Sequence, residues 1–267
     1  MKITQRLWQS YLQQKSISAD VFIHGTVILI VTNRCNFSCR HCLRQSSRPE
    51  DLSLEIAEKI LRDAQRFGFT HIALTGGEPL VYPHLKQLIE RIVYHGYKFS
   101  LVTNGYLFND WVPFFKTVRS HMSFIGFSVE SALPKTHDAI RHPGSWDKLL
   151  EAFSRCRQER LPFRFVTAIS QANYNEIFDI ALYAKRKGAH GLTATTVLPC
   201  PNSQNNNLVL SAQQREKLYG ALVSLGRTLR FPIYIGADIR AQRNIKLCFA
   251  LNMAETTINA GGRLVQC

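Results

Sequence analysis

The chain has 267 residues, 45% of them hydrophobic, with a formal charge of +14. That length and composition support one core of barrel size better than two small ones. The first 15 residues intersperse Lys2, Arg6 and Lys15 with Trp8 and Tyr11. This excludes the continuous apolar stretch of a signal peptide and sets a cytoplasmic location as the default expectation.

The longest apolar run, 27–31, is far short of the roughly 20 residues that a membrane-crossing helix needs, so no membrane association is expected. The positive charge fits either an anionic partner or a solvated basic surface. With no run of five or more basic residues and no basic stretch interleaved with aromatics, nothing points specifically to nucleic acid. Seven cysteines are an odd number, and three of them fall within eight positions. Metal ligation in a reducing compartment explains that better than a disulfide framework.

Along the chain, apolar segments rich in β-branched residues alternate with stretches of helical period, the pattern of repeated strand-helix units around a parallel sheet. Strands are expected at 26–31, 71–74, 98–102, 123–129, 163–169 and 192–198. Ser53 is placed to cap a helix that ends near Gly68, and a second helix, 85–94, stops at Gly96. Further helices are expected at 146–157, 175–187 and 211–226, whereas 199–207 reads as a polar, Asn-rich loop. Six such units predict an α/β fold, a partial (β/α)6 TIM-like barrel of parallel strands. In such architectures chemistry sits at the carboxyl ends of strands. That rule brings 33–42, 75–79, 103–105 and 128–131 to one mouth.

The segment Cys35-Asn36-Phe37-Ser38-Cys39-Arg40-His41-Cys42 follows the first expected strand and lets one loop wrap a single metal centre. Thiolates suit zinc, copper(I) or iron-sulfur clusters, so ligand softness alone does not choose. Structural zinc wants four ligands, commonly two separated pairs, and would need His41 or a distant residue here. Three cysteines on a [4Fe-4S] cluster would instead leave one iron open for a substrate. After the second strand, Thr75-Gly76-Gly77-Glu78-Pro79 combines glycines that allow close backbone approach with a carboxylate. Taken alone, that tetrapeptide could be an ordinary turn.

Together these residues resemble the radical S-adenosylmethionine (SAM) superfamily, in which a C-x3-C-x2-C loop follows the first barrel strand. The resemblance implies that Cys35, Cys39 and Cys42 hold a catalytic [4Fe-4S] cluster and that Gly76, Gly77 and Glu78 line the methionine part of SAM. It further implies that Thr103 and Ser128 contact SAM and that His41 lies beside the adenine. Glu130 stands where relatives commonly carry aspartate in a Ser-x-Asp pattern, and His137 to Arg141 match a further stretch. The implied chemistry is reductive cleavage of SAM to a 5'-deoxyadenosyl radical, with an electron from a low-potential donor such as flavodoxin or ferredoxin.

Beyond the barrel, Cys248 is followed by thirteen residues, Gly262, four more residues and Cys267. This spacing is similar to the opening of a SPASM or twitch extension, whose further cysteines hold auxiliary clusters. Two ligands cannot close a cluster, so an auxiliary [4Fe-4S] on Cys248 and Cys267 requires the chain to continue, and a fragment is the favoured reading. The expected division is therefore a lead-in at 1–25, the barrel at 26–230 and the start of a carboxyl-terminal extension at 231–267. The extension points to modification of a peptide or protein substrate. The alternatives are a small-molecule enzyme of molybdopterin-precursor or heme biosynthesis, and a noncatalytic metal-binding module.

Overall fold

The computed structural model describes residues 25–43, 48–236, 239 and 255–265. Seven parallel strands follow in register: β1 Thr26–Thr32, β2 His71–Gly76, β3 Lys98–Thr103, β4 Met122–Ser128, β5 Phe163–Ile169, β6 Leu192–Thr196 and β7 Ile233–Ile235. An eighth, β8 Glu255–Ile258, joins the outer side of β1 in parallel, and β9 Leu264–Val265 turns back on it antiparallel. The spatial order is β7-β6-β5-β4-β3-β2-β1-β8-β9. Among the described residues β7 and β9 do not pair, so the fold is an α/β, mostly parallel sheet wrapped by helices, and its closure into a barrel is not seen.

The strands form because alternate side chains can be buried against helices. Val27, Leu29, Ile72, Leu74, Phe99, Leu101, Phe127 and Phe165 are all inaccessible or nearly so. Removing such side chains from water contributes roughly 1.5–3 kcal/mol each. Helix α1, Leu54–Arg66, starts where Ser53 Oγ accepts from the Ile56 amide at 3.2 Å. It buries Ala57, Leu61 and Ala64. The remaining helices are α2 Leu85–Tyr94, α3 Phe108–Thr117, α4 Pro134–Ile140, α5 Ser145–Gln158, α6 Ile177–Lys187, α7 Pro201–Asn205 and α8 Ala212–Leu229. Phe153 of α5 stacks on Phe165 at 4.8 Å, and Phe108 of α3 meets Phe127 edge-on at 5.0 Å. No helix among the described residues is long and apolar enough to cross a membrane.

Three helices depart from the reading of the sequence. α3 contains Pro113, a residue that ordinarily breaks the periodic signal, and α4 is only 7 residues long. The segment expected as the loop 199–207 contains α7, capped by Cys200 and Ser203 in a reciprocal pair of hydrogen bonds. Cys248, Cys267 and the lead-in up to residue 24 lie outside the described residues. Of the expected extension, Ile233–Ile235 continues the main sheet through pairing with β6.

Candidate active site

Because the strands run parallel, their carboxyl ends share one edge, and the loops leaving β1, β2, β3 and β4 meet there. Thr32 ends β1 fully buried, its hydroxyl donating to Asp51 Oδ1 at 2.5 Å and accepting from the Arg34 amide at 3.0 Å. The Arg34 guanidinium pairs with the same carboxylate at 3.1 Å. The chain leaving β1 is therefore held before it reaches the first cysteine.

The Gly-Gly-Glu segment grips this loop. Gly77 N donates to Thr32 O at 2.7 Å and Glu78 N to Arg34 O at 2.8 Å. A Cβ at Gly77 would fall 2.0 Å from Arg34 O, and one at Gly76 would fall 2.4 Å from Thr32 O. The close approach that glycine permits is thus used first against the cysteine loop's own backbone. Glu78 is buried, and its carboxylate accepts from Leu80 N at 3.1 Å, Thr103 Oγ1 at 2.6 Å and Asn104 N at 2.7 Å. Burial pushes its carboxyl group upward, and these hydrogen bonds oppose that shift. Asn104 extends the grip, its Nδ2 donating to Asn36 Oδ1 at 2.8 Å. Thr103 and Glu78 are therefore brought together, with Gly76 and Gly77 behind them, while Ser128 ends β4 half-buried.

Within the loop, Cys35 is exposed, Cys39 is buried and Cys42 is half-buried. The Phe37 amide donates to Cys35 Sγ at 3.4 Å, the Cys42 amide to Cys39 O at 3.1 Å, and the Arg40 amide to Ile140 O at 3.1 Å. Phe37 stacks on His142 at 4.8 Å. Cys39 lies within electrostatic range of both other thiols, and burial pushes it up to about 11, with the Arg141 guanidinium opposing that rise. Burial also pushes Cys35 upward.

A buried ion pair that the sequence did not disclose stands beside Cys39. Arg141 Nη1 donates to Glu130 Oε1 at 2.7 Å, and the Ala168 amide donates to Glu130 Oε2 at 2.9 Å. The extra methylene of Glu130, relative to an aspartate, is thus spent on reaching Arg141 and β5. His41, with Nε2 at 3.8 Å from Glu130 Oε1, is held below its ordinary range by burial, with Glu130 opposing. His137 accepts from the Glu130 amide through Nδ1 at 3.1 Å. Among the described residues, Nε2 of His137 and Nε of Arg141 are buried without partners.

No three His, Cys, Asp or Glu side chains among the described residues close on a single metal ion. The donor set instead fits a larger group: three soft thiols from one loop, in mutual range, with a buried guanidinium alongside to offset thiolate charge. A cubane needs its ligand sulfurs spread around it, and three of them satisfy all but one of its irons.

Comparisons with known proteins identify the family. The family model described as the radical SAM superfamily matches residues 29–184. The mycofactocin maturase MftC of Mycolicibacterium smegmatis is 28% identical over 203 residues, 73% of this chain and 51% of the relative. The GTP 3',8-cyclase of Desulforamulus reducens is 30% identical over 169 residues, 60% of this chain and 51% of the relative. The chain thus spans about half the length of these curated relatives. Among solved structures, Streptococcus suis SuiB bound to S-adenosylmethionine superimposes with a TM-score of 0.77 at 12% identity, covering 98% of this chain and 64% of SuiB. SuiB bound to its precursor peptide SuiA gives a TM-score of 0.72 at 12% identity, with 98% and 63% of the two chains covered. With the family model covering more than half its length, the chain belongs to the radical SAM superfamily, a family of enzymes.

Proposed function

We propose that this chain cleaves SAM reductively at a [4Fe-4S] cluster held by Cys35, Cys39 and Cys42, and that it modifies a peptide or protein substrate. The single observation that carries the first part is the cysteine loop, clamped by Gly77 and Glu78 at the carboxyl end of β1. When bound, the cluster supplies the electron that breaks the sulfonium bond of SAM and releases a 5'-deoxyadenosyl radical.

The chain's own residues position and shield. Cys35, Cys39 and Cys42 would hold the cluster, while Gly76, Gly77 and Glu78 would line the methionine part of SAM. Thr103 donates to the Glu78 carboxylate at 2.6 Å and so opposes the upward push of burial on that group. Ser128, at the end of β4, and His41, in the cysteine loop, would contact the ribose and adenine side of SAM. Holding the reacting groups in one geometry, away from water, is the protein's part in such chemistry.

Two features favour a peptide substrate: the match to SuiB, whose structure includes a precursor peptide, and the spacing of Cys248 and Cys267. These two cysteines would open an auxiliary [4Fe-4S] site if the protein continues. The likeness to a GTP cyclase favours a second reading, a small-molecule substrate in cofactor biosynthesis. Under either reading the electron comes from a low-potential flavodoxin or ferredoxin in a reducing cytoplasm.

The test is anaerobic reconstitution with iron and sulfide, then SAM and dithionite. 5'-Deoxyadenosine should form in the wild type, fall to background in Cys35→Ala, Cys39→Ala and Cys42→Ala, and persist in Cys248→Ala. Equal loss in Cys248→Ala would contradict this division of roles. Genes for a short peptide beside the coding sequence would favour the peptide reading, and cofactor-pathway neighbours the small-molecule one.

A further inference from the structure

The cysteine loop is held on its far side by an element remote in sequence. Asn206, which ends α7, donates through Nδ2 to Arg40 O at 3.2 Å and accepts from Arg40 Nε at 3.1 Å, so two bonds join one pair of residues. Asn202, one turn earlier, donates through Nδ2 to Cys42 O at 3.2 Å. The asparagines are tied to each other, Asn206 Nδ2 also donating to Asn202 O at 2.8 Å. Cys200 caps the helix, with its sulfur 3.9 Å from Cys42 O. α7 is itself fixed, because Leu208 N donates to Ser203 O at 2.8 Å and Gln171 N to Leu208 O at 3.0 Å.

These contacts complete a set of anchors. Upstream of Cys35 the backbone is held by Gly77 and Glu78, and between Cys39 and Cys42 the Arg40 amide is held by Ile140 O. The carbonyls of Arg40 and Cys42 are taken by the asparagines. Freed from them, the peptide planes following Arg40 and Cys42 could rotate toward water. Such rotation would move the third sulfur relative to the other two.

We propose that Asn202 and Asn206 are positioning residues that latch the loop after β6 onto the cysteine loop and fix where the Cys42 thiol stands. This rests on the reading that the three thiols hold the cluster. The latch gives the strand-six side of the mouth, 166 residues away at its longest contact, a direct hold on the metal-binding loop.

The test is the double variant Asn202→Ala with Asn206→Ala in the full chain, with Gln204→Ala on the exposed side of the same helix as control. In the cluster-free protein, amide exchange at 39–43 should quicken at least about 10-fold, as expected when three hydrogen bonds to the loop are lost. Exchange at Gly77 and in β3 should stay unchanged. In the loaded protein, iron release to a chelator should quicken by a similar factor, and the electron paramagnetic resonance spectrum of the reduced cluster should change. A merely structural role for α7 would leave that spectrum unmoved.

If exchange at 39–43 and the spectrum both match those of the wild type, the proposal is overturned. If the double variant unfolds, Asn206→Asp carries the same test: it keeps the acceptor for Arg40 Nε and loses the donor to the Arg40 carbonyl. If the wild type binds no iron, the cluster reading fails by itself, and exchange in the cluster-free chain still judges the latch.

Discussion

Behind the sheet, Leu29, Leu74, Leu101, Phe127 and Phe165 are completely buried, and each meets an apolar neighbour from a covering helix or strand. At the strand ends Thr32, Glu78, Asn104 and Glu130 are buried almost as deeply, but they are polar, and every one is held by particular hydrogen bonds. Apolar packing is spread over many interchangeable contacts, whereas a buried hydrogen bond depends on one partner and is costly to leave unmade. The body should therefore govern how stable the protein is. The mouth should govern whether the site assembles.

Substitutions can separate the two regions. The largest effect on the site should come from Gly77→Ala, because the new methyl group must push against Arg34 O. Iron binding by the reconstituted protein should fall to near background while circular dichroism keeps the signature of the fold. Iron content equal to the wild type would show that the clamp is dispensable.

Phe165→Ala makes the opposite demand. Losing this core ring should cost about 3–5 kcal/mol of unfolding free energy, read by denaturant titration. The protein that stays folded should still bind iron stoichiometrically.

Acidification tests the buried histidine at the mouth. Burial pushes His137 down to about 4, with Arg141 acting in the same direction, against an ordinary value of about 6.5. Between those values the unfolded chain binds more protons than the folded one, so stability is fully present above about pH 6.5. It is lost as the pH falls toward 4, with a slope of up to ~1.4 kcal/mol per pH unit. His71, also pushed to about 4 by burial and by Arg164, adds to the slope. Melting temperature measured from pH 7.5 to 4.5 should therefore fall less steeply in His137→Asn than in the wild type, and parallel curves would contradict the assignment.

The smallest effect belongs to Arg34→Ala. Its guanidinium is 56% exposed in the pair with Asp51, so the loss should be at most about 1 kcal/mol. A larger change in unfolding free energy would mean that this pair helps to set the loop.

The regular part of this architecture could be read directly from residue order. The first six strands lie within about two residues of their expected ends, because a parallel sheet buried behind helices leaves continuous β-branched and apolar runs. The cysteine loop and the Gly-Gly-Glu segment were legible because both are contiguous in the chain.

What escaped was local structure with an irregular pattern and contact between distant residues. Pro113 masks α3, and the polar composition of 199–207 masks α7. The Glu130–Arg141 pair spans 11 residues, and neither side chain carries a local signal that it will be buried. The Asn206–Arg40 latch spans 166 residues. It exists only because α7, after β6, returns to the cysteine loop. The glycines at 76 and 77 pointed to close backbone approach, but their first partner proves to be the loop carrying the cysteines.

The most direct measurement is the electron paramagnetic resonance spectrum of anaerobically reconstituted, dithionite-reduced protein with and without SAM. A three-thiol cluster with one iron left to the substrate predicts a [4Fe-4S] signal that shifts when SAM is added and disappears in Cys39→Ala. Zinc in place of iron, or an iron-sulfur signal indifferent to SAM, would contradict the account.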